Sequence, residues 1–166
     1  MRKTQAMMLM LGAMSAGIAD SATTTTTFAV TATLQATCSA SATALAFPAY
    51  TPGGGAVVGT NTISVKCTKN SPYTISLNGG ATAGGTVAQR LMASGTNTLQ
   101  YNLYTTVAHT IVFGDGSGTS QTVPGTGSGV ATANAVTVFG QLPDNATNQA
   151  AIPANYTDTI TVTVSY

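Results

Sequence analysis

Residues 156–166 read Tyr-Thr-Asp-Thr-Ile-Thr-Val-Thr-Val-Ser-Tyr. Ile160, Val162, Val164 and Tyr166 fall on one face at a period of two, and Thr157, Thr159, Thr161, Thr163 and Ser165 fall on the other. That alternation predicts a β-strand with one apolar face, built from β-branched residues that suit a pleated surface. The same pattern recurs upstream, in Val136–Gly140, in Thr98–Thr105 with Leu99, Tyr101 and Leu103 inward, and in Thr62–Thr68 with Ile63, Val65 and Cys67 inward. Tyr73, Ile75 and Leu77 alternate again beyond the turn signal Asn70-Ser71-Pro72, so Thr62–Leu77 is expected to be a hairpin. Shorter extended stretches are expected at Ala44–Phe47, Arg90–Met92, Thr110–Phe113 and Gln121–Val123, and no helical period is visible beyond the N-terminal region. Seven or more short strands at turn-punctuated spacing predict an all-β sandwich, with the C-terminal strand at a sheet edge.

Composition narrows the function. Of 166 residues, enough for one domain, only 5 are Lys or Arg and 4 are acidic, and the net charge is +1. This cannot supply the basic surface that phosphate neutralisation needs, so nucleic-acid binding is excluded. The scarcity of Glu, Lys and Arg argues against a helical bundle, whose exposed faces they normally fill. One His and two Cys cannot assemble a four-ligand zinc site.

Met1-Arg2-Lys3 followed by the apolar run Ala6–Ala19, with Gly17 and Ala19 at signal-peptidase spacing, predicts a secretory signal peptide over residues 1–19, cut after Ala19 or up to residue 22. The run is shorter than the roughly 20 residues of a membrane-spanning helix. Export places Cys38 and Cys67 in an oxidising compartment, where one disulfide is expected rather than two buried thiols. Between the signal and Cys38, residues 20–35 form an extension in which Phe28, Val30, Ala32 and Leu34 share an apolar face opposite Ala29, Thr31, Thr33 and Gln35. Such a strand must join a sheet, in its own domain or in a neighbour.

No catalytic constellation emerges. His109 is the sole candidate general base, with Asp115 and Asp144 as conceivable partners, but no nucleophile-elbow Ser or paired-carboxylate motif accompanies it, and a loop position is expected. The glycine-rich stretches 114–118 and 125–129 lack the following helix and Lys of a phosphate cradle and are expected to be turns. Asn145-Ala146-Thr147 and Asn155-Tyr156-Thr157 match the glycosylation sequon, as a Thr-rich chain does by chance. Arg90, alone in a neutral stretch, is expected at the surface. The chain is expected to be neither an enzyme nor a cofactor or metal binder.

The early Cys38, Ile63-Ser64-Val65-Lys66-Cys67, Pro72-Tyr73-Thr74-Ile75-Ser76-Leu77-Asn78, Arg90-Leu91-Met92, Leu99-Gln100-Tyr101-Asn102-Leu103-Tyr104, Val136-Thr137-Val138-Phe139-Gly140 and the closing Tyr-x-Asp strand, taken in order, resemble the spore-coat protein U domain family. Subunits of archaic chaperone–usher pili belong to that family. Ala154-Asn155 departs from it where glycine is common just before the Tyr. The resemblance implies an incomplete immunoglobulin-like sandwich over residues 36–166, completed first by a periplasmic chaperone and then by a strand donated from the next subunit. It implies Phe28, Val30, Ala32 and Leu34 as donor side chains, Ile160, Val162 and Val164 as the acceptor groove edge, and Cys38–Cys67 as the disulfide joining the first two strands. It also implies an outer-membrane usher as partner, a place in a surface fimbrium, and a part in adhesion and biofilm formation, as a stalk or minor subunit. Two alternatives stand beside this reading. One is a secreted coat or matrix protein of the same fold. The other is a carbohydrate-binding sandwich using Tyr50, Tyr73, Tyr101, Tyr104, Tyr156 and Tyr166, which the lack of Trp and the strand periodicity of several tyrosines disfavour.

Overall fold

The computed structural model describes residues 21–166, so the expected signal peptide, residues 1–19, and the first residue of the extension lie outside the described residues. The chain divides into two units, Met1–Thr33 and Leu34–Tyr166. Residues 21–33 contain neither strand nor helix, and Phe28 and Val30 are 86% and 83% exposed. The alternation at 28–34 therefore forms no strand in the single chain.

The second unit carries β1 (Cys38–Ala42), β2 (Val57–Cys67), β3 (Pro72–Leu77), β4 (Arg90–Ser94), β5 (Asn97–Tyr104), β6 (Val123–Thr126), β7 (Asn134–Leu142), the single helical turn α1 (Ala146–Gln149) and β8 (Val162–Ser165). Two antiparallel sheets result, ordered β1-β2-β7-β5-β4 and β6-β3-β8. The inward faces of the alternating runs meet in one core of Ile63, Val65, Cys67, Tyr73, Ile75, Leu77, Leu99, Tyr101, Leu103, Phe113, Val138 and Leu142. This is the all-β sandwich expected from the alternation, of the immunoglobulin-like kind that the resemblance implies. The C-terminal strand lies at a sheet edge, as expected, and β4 is an edge strand of the other sheet.

The expected hairpin is not formed. β2 pairs with β1 and β7, while β3 pairs with β6 and β8 in the other sheet. Residues 68–71 instead arch across the core, with Asn70 left-handed at φ 62° and its N–H donated to the Gly127 carbonyl. A Cβ on Gly127 would collide with the Thr68 carbonyl, so only glycine allows this close approach. Alternation places a strand's apolar face inward but does not say which sheet it joins.

β1 is the first disulfide-bonded strand that the resemblance implies, though its sequence shows no alternation of its own, and α1 has no counterpart among the expected elements. α1 is one turn, too short to show a period, and it serves to place Asn148. Where β7 leaves β5, the buried Asn148 amide accepts from Gln100 N at 2.7 Å and donates to Gln100 O at 2.9 Å, standing in for a strand residue.

Candidate functional site: an uncovered groove between two strand edges

Cys38, Ala40 and Ala42 of β1 lie opposite Cys67, Val65 and Ile63 of β2, which are at most 1% exposed. Inward-facing side chains of a covered sheet would be buried as well, yet Ala40 and Ala42 are exposed. On the other sheet Val162 and Val164 lie opposite the buried Leu77 and Ile75 and are only half-buried. Ile160 is likewise half-buried and packs against the core. β1 and β8 are neighbours that are not hydrogen-bonded to one another. Core-facing positions on both are thus uncovered along one line.

The backbone points the same way. Thr43 N donates to Thr62 O and Thr68 N to Thr37 O, so the odd-numbered residues of β1 aim their peptide groups at β2. By the alternation of an antiparallel ladder, Cys38, Ala40 and Ala42 aim theirs at the free edge. Just before β8, Thr161 accepts from Asn78 N at 3.2 Å and donates its N–H to Asn78 Oδ1 at 2.9 Å, which leaves the peptide groups of Ile160, Val162 and Val164 aimed at the free edge. Two rows of unpaired N–H and C=O groups therefore border the groove.

Between them lies a cavity of about 380 Å³ floored by Ile63, Leu77, Leu103 and Val138 and walled by residues 42–45 and 157–160. Phe47 meets Tyr101 edge to face there, with centroids 6.1 Å apart. Tyr101 OH donates to Asp158 Oδ2 at 2.7 Å; burial and then this bond raise the phenol's pKa and keep it protonated. Asp158 Oδ1 also accepts from Ala81 N, Thr82 N and Thr82 Oγ1.

Arg90, expected at the surface, is fully buried. It lies on the inward face of β4 and reaches the end of the other sheet. Its Nε and Nη2 donate to Asn78 O, Nη2 also to Phe113 O, and Nη1 to Asn102 Oδ1 at 2.6 Å. Strand ends leave carbonyls unpaired at the end of the sandwich, and one guanidinium fork satisfies several of them. Burial lowers its pKa, opposed by Tyr101, Asp158 and Asp115.

A second cavity of about 500 Å³ adjoins the groove, sharing Leu45, Phe47, Met92 and Tyr156 as lining. Its lip, residues 50–55, is held by Asp144, which accepts from Tyr50 OH, Gly53 N, Gly55 N and Gln149 Nε2. The Tyr50 bond and then the two backbone donors depress the carboxyl to about 2, and desolvation together with Asp144 raises Tyr50 to about 12. A depressed carboxyl helps the folded state above its unfolded pKa, about 4, and loses that contribution as pH falls toward the folded value. The Gly53 and Gly55 amide resonances of the folded protein should therefore titrate together with a midpoint near pH 2, and stop doing so in Asp144→Asn. Titration that persists in the variant would contradict the clasp.

The other sequence candidates are not brought together. His109 sits in a loop at φ 53° against Tyr104, and Asp115 caps its own turn at Ser117 N. No hydrogen bond joins His109, Asp115 and Asp144 among the described residues, nor is there a cluster of metal-ligating side chains. The stretch 114–118 is a turn with left-handed Gly116 and Gly118, whereas 125–129, expected to be a turn, begins inside β6, with Gly125 and Thr126 paired to Tyr73 and Pro72 and only 127–129 outside the strand; neither is followed by a helix. Tyr73 and Tyr101 are core residues, which removes them from any sugar-stacking surface. Ala40 and Ala42, the other wall of the groove, went unrecognised; their one signal is that they share parity with Cys38.

A sequence model of the Spore Coat Protein U domain matches residues 24–163. Among solved structures the chain is similar to one in the crystal structure of the CsuC–CsuE chaperone–tip adhesion subunit pre-assembly complex, from the archaic chaperone–usher Csu pili of Acinetobacter baumannii. Identity is 23% and the TM-score 0.51, over 81% of this chain and 41% of that one, so this chain spans less than half of its length. No curated protein matches.

Proposed function

The chain belongs to the Spore Coat Protein U domain family, and on that premise we propose that it is a structural subunit of a chaperone–usher surface fibre, polymerised by strand donation. The observation that carries this reading is the groove itself: apolar floor, two unpaired strand edges, and inward positions left uncovered on both. Donation is the direct remedy, since an added strand pairs both edges and fills the floor with alternate side chains. The extension of another copy has the needed pattern in Phe28, Val30, Ala32 and Leu34, whose large members are exposed. Its seven residues match the seven from Ile160 to Tyr166. In this reading a periplasmic chaperone fills the groove before assembly, an outer-membrane usher orders the exchange, and the fibre stands on the cell surface in adhesion and biofilm formation.

The test contrasts the two faces of the extension. Val30→Asp places an unpaired charge in an apolar groove, at a cost of several kcal/mol, whereas Thr31→Asp points away from it. On an unboiled denaturing gel the first variant should lose the oligomer ladder and the second keep it. Equal loss in both, or none in either, would refute donation by this segment.

A further inference from the structure

The acceptor edge is longer than β8. The ladder with β3 begins at Val162, yet Ile160 already carries an inward side chain and peptide groups aimed at the free edge. Residues 158–161 lie between two attachments. At one end Thr157 exchanges both backbone hydrogen bonds with Ala93 on β4, in the other sheet, and at the other end Val162 enters the ladder. Side chains hold what lies between. Asn78 meets Thr161 with both its backbone N–H and its amide oxygen, and the Asp158 carboxylate gathers Ala81 N, Thr82 N, Thr82 Oγ1 and Tyr101 OH at 2.7–3.0 Å. The fit around that carboxylate is close: a Cβ on Gly80 would collide with Asp158 Oδ2, and Gly80 is left-handed at φ 94°.

We propose that Asp158 is a positioning residue for strand donation, holding Ile160 in line with β8 so that the acceptor edge offers one more inward position than its ladder with β3 provides. This rests on the strand-donation reading. A carboxylate suits the task because it accepts four hydrogen bonds at once with no donor of its own. An amide at the same place has one oxygen and an NH₂ group that opposes the Ala81 and Thr82 amides. Because Ile160 is the last inward position of the edge, only a residue at one end of the donor segment can meet it, Phe28 or Leu34 according to the strand's direction.

The experiment is a double-mutant cycle on polymers of the full mature chain, reading the half-time of oligomer loss in detergent at fixed temperature. Phe28→Ala, Val30→Ala and Leu34→Ala are each made with Asp158 and with Asp158→Asn. With Asp158 present each donor substitution should shorten the half-time about tenfold or more. With Asp158→Asn, one terminal substitution should lose most of its effect, while Val30→Ala and the other terminal substitution keep theirs. Should Asp158→Asn fail to accumulate, Thr82→Val removes one of the four hydrogen bonds and must give the same end-selective pattern at smaller size. Effects that are unchanged or equally reduced at all three positions overturn the role of Asp158. If no donor substitution acts even with Asp158 present, it is the donation reading that fails.

Discussion

Arg90→Leu leaves too little stability for the folded domain to accumulate. Leucine fills part of the space but offers no donor, so Asn78 O, Phe113 O and Asn102 Oδ1 lose the guanidinium. A buried acceptor left without its partner costs about 1–3 kcal/mol; Asn78 O and Phe113 O are left so, while Asn102 Oδ1 keeps only Leu103 N, and these losses consume a large share of the roughly 5–15 kcal/mol that holds a domain folded. Arg90→Lys should fall between, because an ammonium is a single point that cannot span acceptors on two sheets. The measurement is soluble yield and the urea midpoint of the mature chain. A wild-type midpoint in Arg90→Leu would show that the network contributes little.

Replacing Cys38 and Cys67 together by serine should cost nearly as much. The bond spans 29 residues of sequence, and the chain-entropy model assigns such a loop about 3–4 kcal/mol. The local cost is sharper than the global one, because β1 has little else to hold it: five residues of Cys, Ser and Ala, exposed beyond Cys38, paired on one side only. Freed from β2, it no longer walls the groove. The double variant, and the wild type under reductant, should show a lower urea midpoint and lose the oligomer ladder. A ladder that survives reduction would mean that hydrogen bonds alone keep β1 in place.

Much of this was legible in the sequence, for a definable reason. The inward residues of β3, β5 and the Ile63–Cys67 half of β2 alternate with polar ones, so burial and face could be read position by position there. Partnership could not. The Asn70-Ser71-Pro72 turn serves a hairpin or an arch equally well, and only the packing of two sheets decides for the arch. Arg90 was misread because a charge with no carboxylate nearby in sequence looks solvated; its partners are carbonyls and one amide, groups that composition does not reveal. Of the groove, the Ile160–Val164 wall was visible as alternation, whereas the Ala40–Ala42 wall has side chains too small to register as an apolar face.

The C-terminal segment touches both sheets, joined to β4 at Thr157 and to β3 from Val162 onward. In a fibre held by a donated strand, that crossing decides how tension travels. A pull along the axis loads the inserted strand lengthwise, so the hydrogen bonds to each edge strain in parallel rather than opening one after another like a zip. From one edge the load passes through the disulfide into β2, and from the other into the C-terminal segment. The first route ends in the five-stranded sheet, while the second divides between β4 at Thr157 and β3 along β8, so the C-terminal segment is the point at which the load is shared between the two sheets.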